Sequence, residues 1–127
     1  MGYNLGTRSR QRLKGVHPDL VRVVERAIQL APVDFAVVEG LRTADRQQQL
    51  MAAGASKTLR SRHLTGHAVD LGALVDGEVR WDWPLYHKIA AAMKAAATEL
   101  SVPLEWGGDW RTFKDGPHFQ LPWKKYP

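Results

Sequence analysis

His67-Ala68-Val69-Asp70-Leu71-Gly72-Ala73-Leu74-Val75-Asp76-Gly77-Glu78-Val79-Arg80-Trp81 holds two strand-like runs separated by Asp76-Gly77. Asp-Gly tolerates the positive φ angles of a type I′ turn, whose twist matches that of paired strands. Residues 67–75 and 78–81 therefore read as the arms of a β-hairpin. After His67 the first arm is apolar except for Asp70, set between Val69 and Leu71. A carboxylate in a core strand is costly to bury unless it is paired or bound to a cation.

Outward from the hairpin, the rest of the chain supplies helices and short strands. Pro18 and Asp19 open a segment with apolar residues at Leu20, Val21, Val23, Val24, Ala27, Ile28 and Leu30, the spacing of an amphipathic helix that should end near Pro32. Residues 33–39 form a β-branched and aromatic run, a strand, after which Gly40 turns the chain and Thr43 is placed to cap a second helix stopping at Gly54. Residues 55–66 are polar, basic and punctuated by glycine, which reads as a long surface loop, and such loops are usually functional. Pro84 begins a helix to about Leu100, with Leu85, Ile89, Ala92, Met93, Ala96 and Leu100 on one stripe. Residues 104–106 and 118–121 are short strands joined by a Gly- and Trp-rich loop. The expected fold is α+β, a small, mainly antiparallel sheet with flanking helices, in a single domain over residues 1–127.

Composition narrows the chemistry. With 127 residues the chain can bury a real core, and with no cysteine it has no disulfide, thiolate metal site or cysteine nucleophile. Any metal must be held by His, Asp or Glu. No apolar run approaches the roughly 20 residues of a membrane span, and residues 1–14 lack the apolar stretch of a signal peptide, so synthesis in the cytoplasm without an exit signal is expected. The net charge of +5 favours anionic polymers, nucleic acid or bacterial envelope. Arg8, Arg10, Arg12 and Lys14, and then Lys57, Arg60 and Arg62, read first as solvated basic surface.

Of five histidines, two keep suggestive company. His63 ends the polar loop seven residues before Asp70, and His118 starts the last strand three residues after Asp115. If the strands of Asp70 and His118 lie side by side, His63, Asp70 and His118 can converge on one ion. Two imidazoles and a carboxylate with an open fourth position make a catalytic zinc site, whereas a structural site would close with four protein ligands. Asp115 would then stand near the metal as general base. His63 and His67 are four apart, but Leu64 follows the first and Gly66 interrupts, so the two-histidine helix of other zinc peptidases does not apply and His67 reads as structural or as a neighbour of the substrate.

The pattern Ser61, His63, Gly66, Ala68, Asp70, followed downstream by Asp115 and His118, resembles the zinc peptidases of the D-alanyl-D-alanine carboxypeptidase family. Within it the chain is most similar to phage endolysins that are L-alanyl-D-glutamate peptidases. The short length, the Asp before the last His, and the segments Glu39-Gly40-Leu41-Arg42-Thr43 and Trp106-Gly107-Gly108-Asp109-Trp110 support that branch. The resemblance implies that His63, Asp70 and His118 bind Zn2+, that Asp115 activates water and passes the proton to the leaving amine, and that Arg42 stabilises the oxyanion. It implies a hydroxyl at Ser61 that supports a metal ligand from behind or faces the substrate. Related enzymes carry a second His two residues after the last ligand; Gln120 stands there in this chain and is assigned no catalytic role. Trp106 and Trp110, flanking Gly107-Gly108, are expected to line the substrate groove, while Trp81, Trp83 and Trp123 are expected mostly in the core.

The implied function is hydrolysis of the L-Ala-D-Glu bond of the peptidoglycan stem peptide. The enzyme would act as a monomer and wait in the host cytoplasm for a membrane-permeabilising, holin-type partner. The rivals are a D-Ala-D-Ala carboxypeptidase or dipeptidase on the same zinc site and a metal-bound wall-binding module without turnover. Asp115 and Arg42 argue against the second, which needs neither. Nucleic-acid binding rests on charge alone, with no recognised motif beside it.

Overall fold

The computed structural model describes residues 2–54 and 61–127. In chain order the elements are α1 (Thr7–Arg12), α2 (Pro18–Leu30), β1 (Asp34–Glu39), α3 (Ala44–Ala52), a 3-10 turn (Arg62–Thr65), β2 (Ala68–Val75), β3 (Glu78–Arg80), α4 (Trp83–Leu100), β4 (Glu105–Trp106), a second 3-10 turn (Gly107–Asp109) and β5 (His118–Gln120). This is the α+β architecture expected, with every strand pair antiparallel.

β2 organises the sheet, whose order is β1-β2-β5-β4. It pairs with β1 along one side; along the other it pairs first with β5, through residues 68–70, and then with β3, through residues 73–75. The hairpin turn has φ of +52° at Asp76 and +81° at Gly77, the left-handed pair that Asp-Gly accommodates. Alternation along β2 puts Val69, Leu71 and Ala73 into the core, and Asp70, Gly72 and Leu74 on the opposite face. The core lies between the sheet and the helices: Leu20, Val23, Val24, Ala27 and Ile28 of α2 and Ile89, Ala90, Met93, Ala96 and Ala97 of α4 join Phe35, Val37 and Phe119. His17 Nδ1 accepts from Asp19 N–H at the start of α2, and Thr43 Oγ1 accepts from Arg46 N–H at the start of α3, the side-chain caps that free helix N–H groups require.

Four features depart from the sequence reading. The first is α1, which the short basic N-terminal stretch did not reveal. Leu5, Leu13 and Val16 around it are core residues, Ser9 Oγ accepts from Val37 N–H at 2.9 Å, and Arg12 Nη1 donates to Val37 O at 3.0 Å. These bonds satisfy outward backbone groups of the edge strand β1.

Second, the loop expected over 55–66 closes with an ordered 3-10 turn, while residues 55–60, with Lys57 and Arg60, lie outside the described residues. Third, Arg62 is not solvated surface but 3% exposed. Its guanidinium donates to Leu121 O and Tyr126 O and lies 4.1 Å from the Trp123 ring, fastening residues 121–126 to the body. Fourth, the tryptophans exchange roles. Trp81, Trp83 and Trp123 are exposed, whereas Trp106 is 5% exposed, stacks on Phe119 and donates from Nε1 to Gly116 O at 2.7 Å.

Candidate metal centre

Asp70 and His118 are direct cross-strand partners of β2 and β5, so both side chains stand on the sheet face away from the core. His63 reaches them from the 3-10 turn. Ser61 Oγ caps that turn by accepting from His63 N–H at 3.2 Å, and Gly66 ends it at φ +75°. A Cβ at Gly66 would fall 2.3 Å from Gly15 O, so only glycine allows the turn to seat against the segment before α2. Arg42 N–H donates to His63 O at 2.9 Å, tying the turn to the end of β1.

His63, Asp70 and His118 each offer a ligand atom within 4.8 Å of the others, the one such grouping among the described residues. Asp70 Oδ1 lies 3.3 Å from His63 Nε2 and 3.1 Å from His118 Nδ1. The other nitrogen of His63, Nδ1, is 2.8 Å from Gly40 O, which can only accept; Nδ1 therefore carries the hydrogen and a neutral ring turns the Nε2 lone pair toward Asp70. His118 Nε2 lies 2.8 Å from Gln120 Oε1 and leaves Nδ1 facing Asp70 in the same way. Lone pairs directed at a carboxylate repel it unless a proton or a cation lies between them. The donor set, two imidazoles and one carboxylate with outer hydrogen bonds already made, fits a zinc-type ion.

With protons rather than a cation between these groups, the imidazoles become donors to Asp70. Burial alone would raise the Asp70 carboxyl, but hydrogen bonds and positive charge from His118 and His63 outweigh it and hold the group well below the usual carboxylate range. Burial disfavours charge on His118, yet the Asp70 hydrogen bond and charge carry it above the ordinary histidine value. Asp115 is pushed up, by burial first and by the charge of Asp70 second, against the pull of His118, His63 and Arg42. Those four groups are therefore the electrostatic neighbours of Asp115. Its backbone is fixed by N–H donation to Gly107 O and by acceptance from His118 N–H. A Cβ at Gly107 would lie 2.4 Å from Asp115 O, so the first glycine of the Gly-Gly pair is what lets the two loops touch.

The Arg42 side chain is 8% exposed and held on several sides. Nε and Nη2 donate to the two oxygens of Glu39 at 2.7 and 2.6 Å, and Nη1 donates to Gln47 Oε1 at 2.6 Å and to Ser61 Oγ at 3.3 Å. Nη2 is 4.0 Å from Asp70 Oδ2. A β-bulge between Val37 and Glu39 brings Glu39 opposite Asp70, which is how one carboxylate reaches the guanidinium beside the metal cluster. Glu39 and Gln47 were not singled out from sequence. The signal for Glu39 was its spacing three before Arg42; a buried glutamine in a Gln-rich helix carries none.

The remaining candidates separate. Ser61 joins the His63 turn to Arg42. The Trp110 ring lies 5.3 Å from that of His118, at the cluster. Trp106, expected in the groove, instead supports the Asp115 loop from beneath through its Gly116 bond. His67 is apart from the cluster, with Nδ1 2.7 Å from Thr65 Oγ1 and its ring beside His17.

A model of the phage L-alanyl-D-glutamate peptidase family matches residues 1–121. The L-alanyl-D-glutamate peptidase of Escherichia phage T5 is 34% identical over 119 residues, covering 91% of this chain and 87% of its own. The crystal structure of Serratia marcescens L-Ala D-Glu endopeptidase ChiX superposes with a TM-score of 0.91 at 55% identity, over 95% of this chain and 91% of that one. The D,D-dipeptidase VanXYg, solved with a D-Ala-D-Ala phosphinate analogue, matches 84% of this chain and 50% of its own with a TM-score of 0.55; at 20% identity it shares the fold alone.

Proposed function

The chain belongs to the phage L-alanyl-D-glutamate peptidase family and is a peptidoglycan-cleaving endopeptidase, and on that premise we propose that His63, Asp70 and His118 hold a catalytic zinc ion and that Asp115 and Arg42 work beside it. The observation that carries the zinc reading is the convergence of His63 Nε2, His118 Nδ1 and Asp70 Oδ1, each imidazole with its other nitrogen already occupied.

Zinc bound there would lower the pKa of a water ligand to about 7 and polarise the scissile carbonyl. Asp115 takes the proton of the attacking water as the carbon–oxygen bond forms. It then gives that proton to the departing D-glutamyl nitrogen as the carbon–nitrogen bond breaks, so the residue ends as it began. Its raised affinity for protons suits both halves of this exchange. Arg42, aimed by Glu39, Gln47 and Ser61, stabilises negative charge developing on the carbonyl oxygen, and its pre-set orientation spares reorganisation during the reaction. Trp110 contacts the stem peptide in this reading, which its 5.3 Å ring separation from His118 supports.

Arg42→Ala is expected to lower kcat by about 10²–10³-fold, the usual loss for an oxyanion donor, with zinc content unchanged. Steady-state kinetics beside metal analysis tests this; loss of zinc in equal measure would make Arg42 a structural support instead.

Purified peptidoglycan digested with and without a zinc chelator tests the whole reading. New amino termini of D-glutamate, released only without chelator, are expected by mass spectrometry. Released D-alanine would move the enzyme to carboxypeptidase activity, and intact substrate with zinc-loaded protein would indicate a binding module. We further propose action as a monomer that reaches the wall from the host cytoplasm through a holin-type partner, a route that suits a chain whose relative is a phage protein. No helix among the described residues is long and apolar enough to cross a membrane.

A further inference from the structure

Gln120 has no part in the mechanism above, but its surroundings give it a task. Its Oε1 lies 2.8 Å from His118 Nε2, and its Nε2 donates at 3.1 Å to Glu105 Oε2. The three residues lie in register: Glu105 of β4 is the cross-strand partner of Gln120, which is two residues along β5 from His118. Gln120 is buried and Glu105 half-buried, so water competes little for these bonds.

We propose that Glu105 and Gln120 form a polarised relay that fixes His118 as the Nε2–H tautomer and so makes Nδ1 the nitrogen offered to the metal. A neutral histidine has two tautomers, and its partner decides between them. An amide alone cannot make that choice, because it presents an acceptor or a donor according to which way it is turned. Glu105 removes the ambiguity. A carboxylate only accepts, so it binds the Gln120 NH2 and turns Oε1 toward His118; Oε1 only accepts, so Nε2 must carry the hydrogen. The information passes from Glu105 to the metal ligand without either relay residue touching the metal. Both are positioning residues, and the inference rests on the zinc site proposed above.

The polarity of the relay can be tested separately from its packing. Glu105→Gln is isosteric but can donate, which lets the Gln120 amide reverse; Gln120→Leu removes the relay. Each is expected to weaken zinc binding by about 10–100-fold, the usual cost of losing a partner behind a metal-bound histidine, in competition with a chromophoric chelator. Long-range 1H–15N spectra of the zinc-loaded protein should show His118 as the Nε2–H tautomer with slow proton exchange in the parent, and faster exchange at Nε2 in both variants. The double variant Glu105→Gln with Gln120→Glu moves the carboxylate next to His118, where it again only accepts, and should return exchange and affinity toward parental values.

Parental exchange and affinity in Glu105→Gln would overturn the proposal, as would a double variant no better than that single change. If Gln120→Leu loses its near-UV dichroism, Glu105→Gln and the double variant still decide. Parent protein that binds no zinc would sink the zinc reading, whereas zinc-binding parent protein whose Nε2–H exchanges as fast as that of Glu105→Gln would sink the relay alone.

Discussion

Asp115→Asn is expected to keep zinc bound and to lower peptidoglycan hydrolysis by about 10²–10⁴-fold, the range for losing a general acid–base group. The substitution is nearly isosteric and leaves the two backbone bonds that fix the loop, from Asp115 N–H to Gly107 O and from His118 N–H to Asp115 O. What it removes is the capacity to carry a proton, on which both halves of the cycle depend. It also removes a negative charge near Asp70, whose field raises the Asp115 carboxyl, so the metal ligands should be no worse placed. Zinc stoichiometry by atomic spectroscopy, with rates of amino-group release from peptidoglycan, checks both arms. Full activity in a zinc-loaded Asp115→Asn protein would show that another group moves the proton.

His63→Ala is expected to lose zinc and hydrolysis together, with activity at the level of a buffer control. The two remaining ligand side chains, Asp70 and His118, leave an incomplete site for a catalytic zinc, which takes three protein ligands. The variant also strips Gly40 O of its partner at 2.8 Å, a buried carbonyl whose lost hydrogen bond costs about 1–3 kcal/mol. Thermal unfolding should therefore fall even in the presence of chelator, which removes the metal contribution from both proteins. Retained zinc with retained turnover would move the metal away from this cluster.

Local chemistry explains what the sequence disclosed. The Asp76-Gly77 turn, the apolar stripe of α2 and the Thr43 cap are short-range signals, and all are present in the structure. Asp70 was conspicuous because a carboxylate does not belong in an apolar strand, and His118 because it sits at a strand start behind an acidic residue. What stayed hidden depends on long-range packing. Arg62 looked like one more surface cation until the folded chain placed Leu121 O and Tyr126 O around it. The tryptophans could not be sorted by composition, since whether an indole is core or surface depends on which strand neighbours it: Trp106 pairs with Phe119, while Trp81 continues beyond the end of β3. The hold of Glu39 on Arg42 needed the bulge in β1, and a one-residue offset leaves no mark in hydrophobic periodicity.

The helix α1 has a consequence for how copies of this protein behave in company. An open strand is a template on which another chain can add, and β1, at the end of the sheet, would be such a template were Ser9 and Arg12 not bonded to Val37. Six residues of helix thus act as a guard against self-templated polymerisation. Such a guard matters most where copies are crowded, since strand addition between them steepens with concentration.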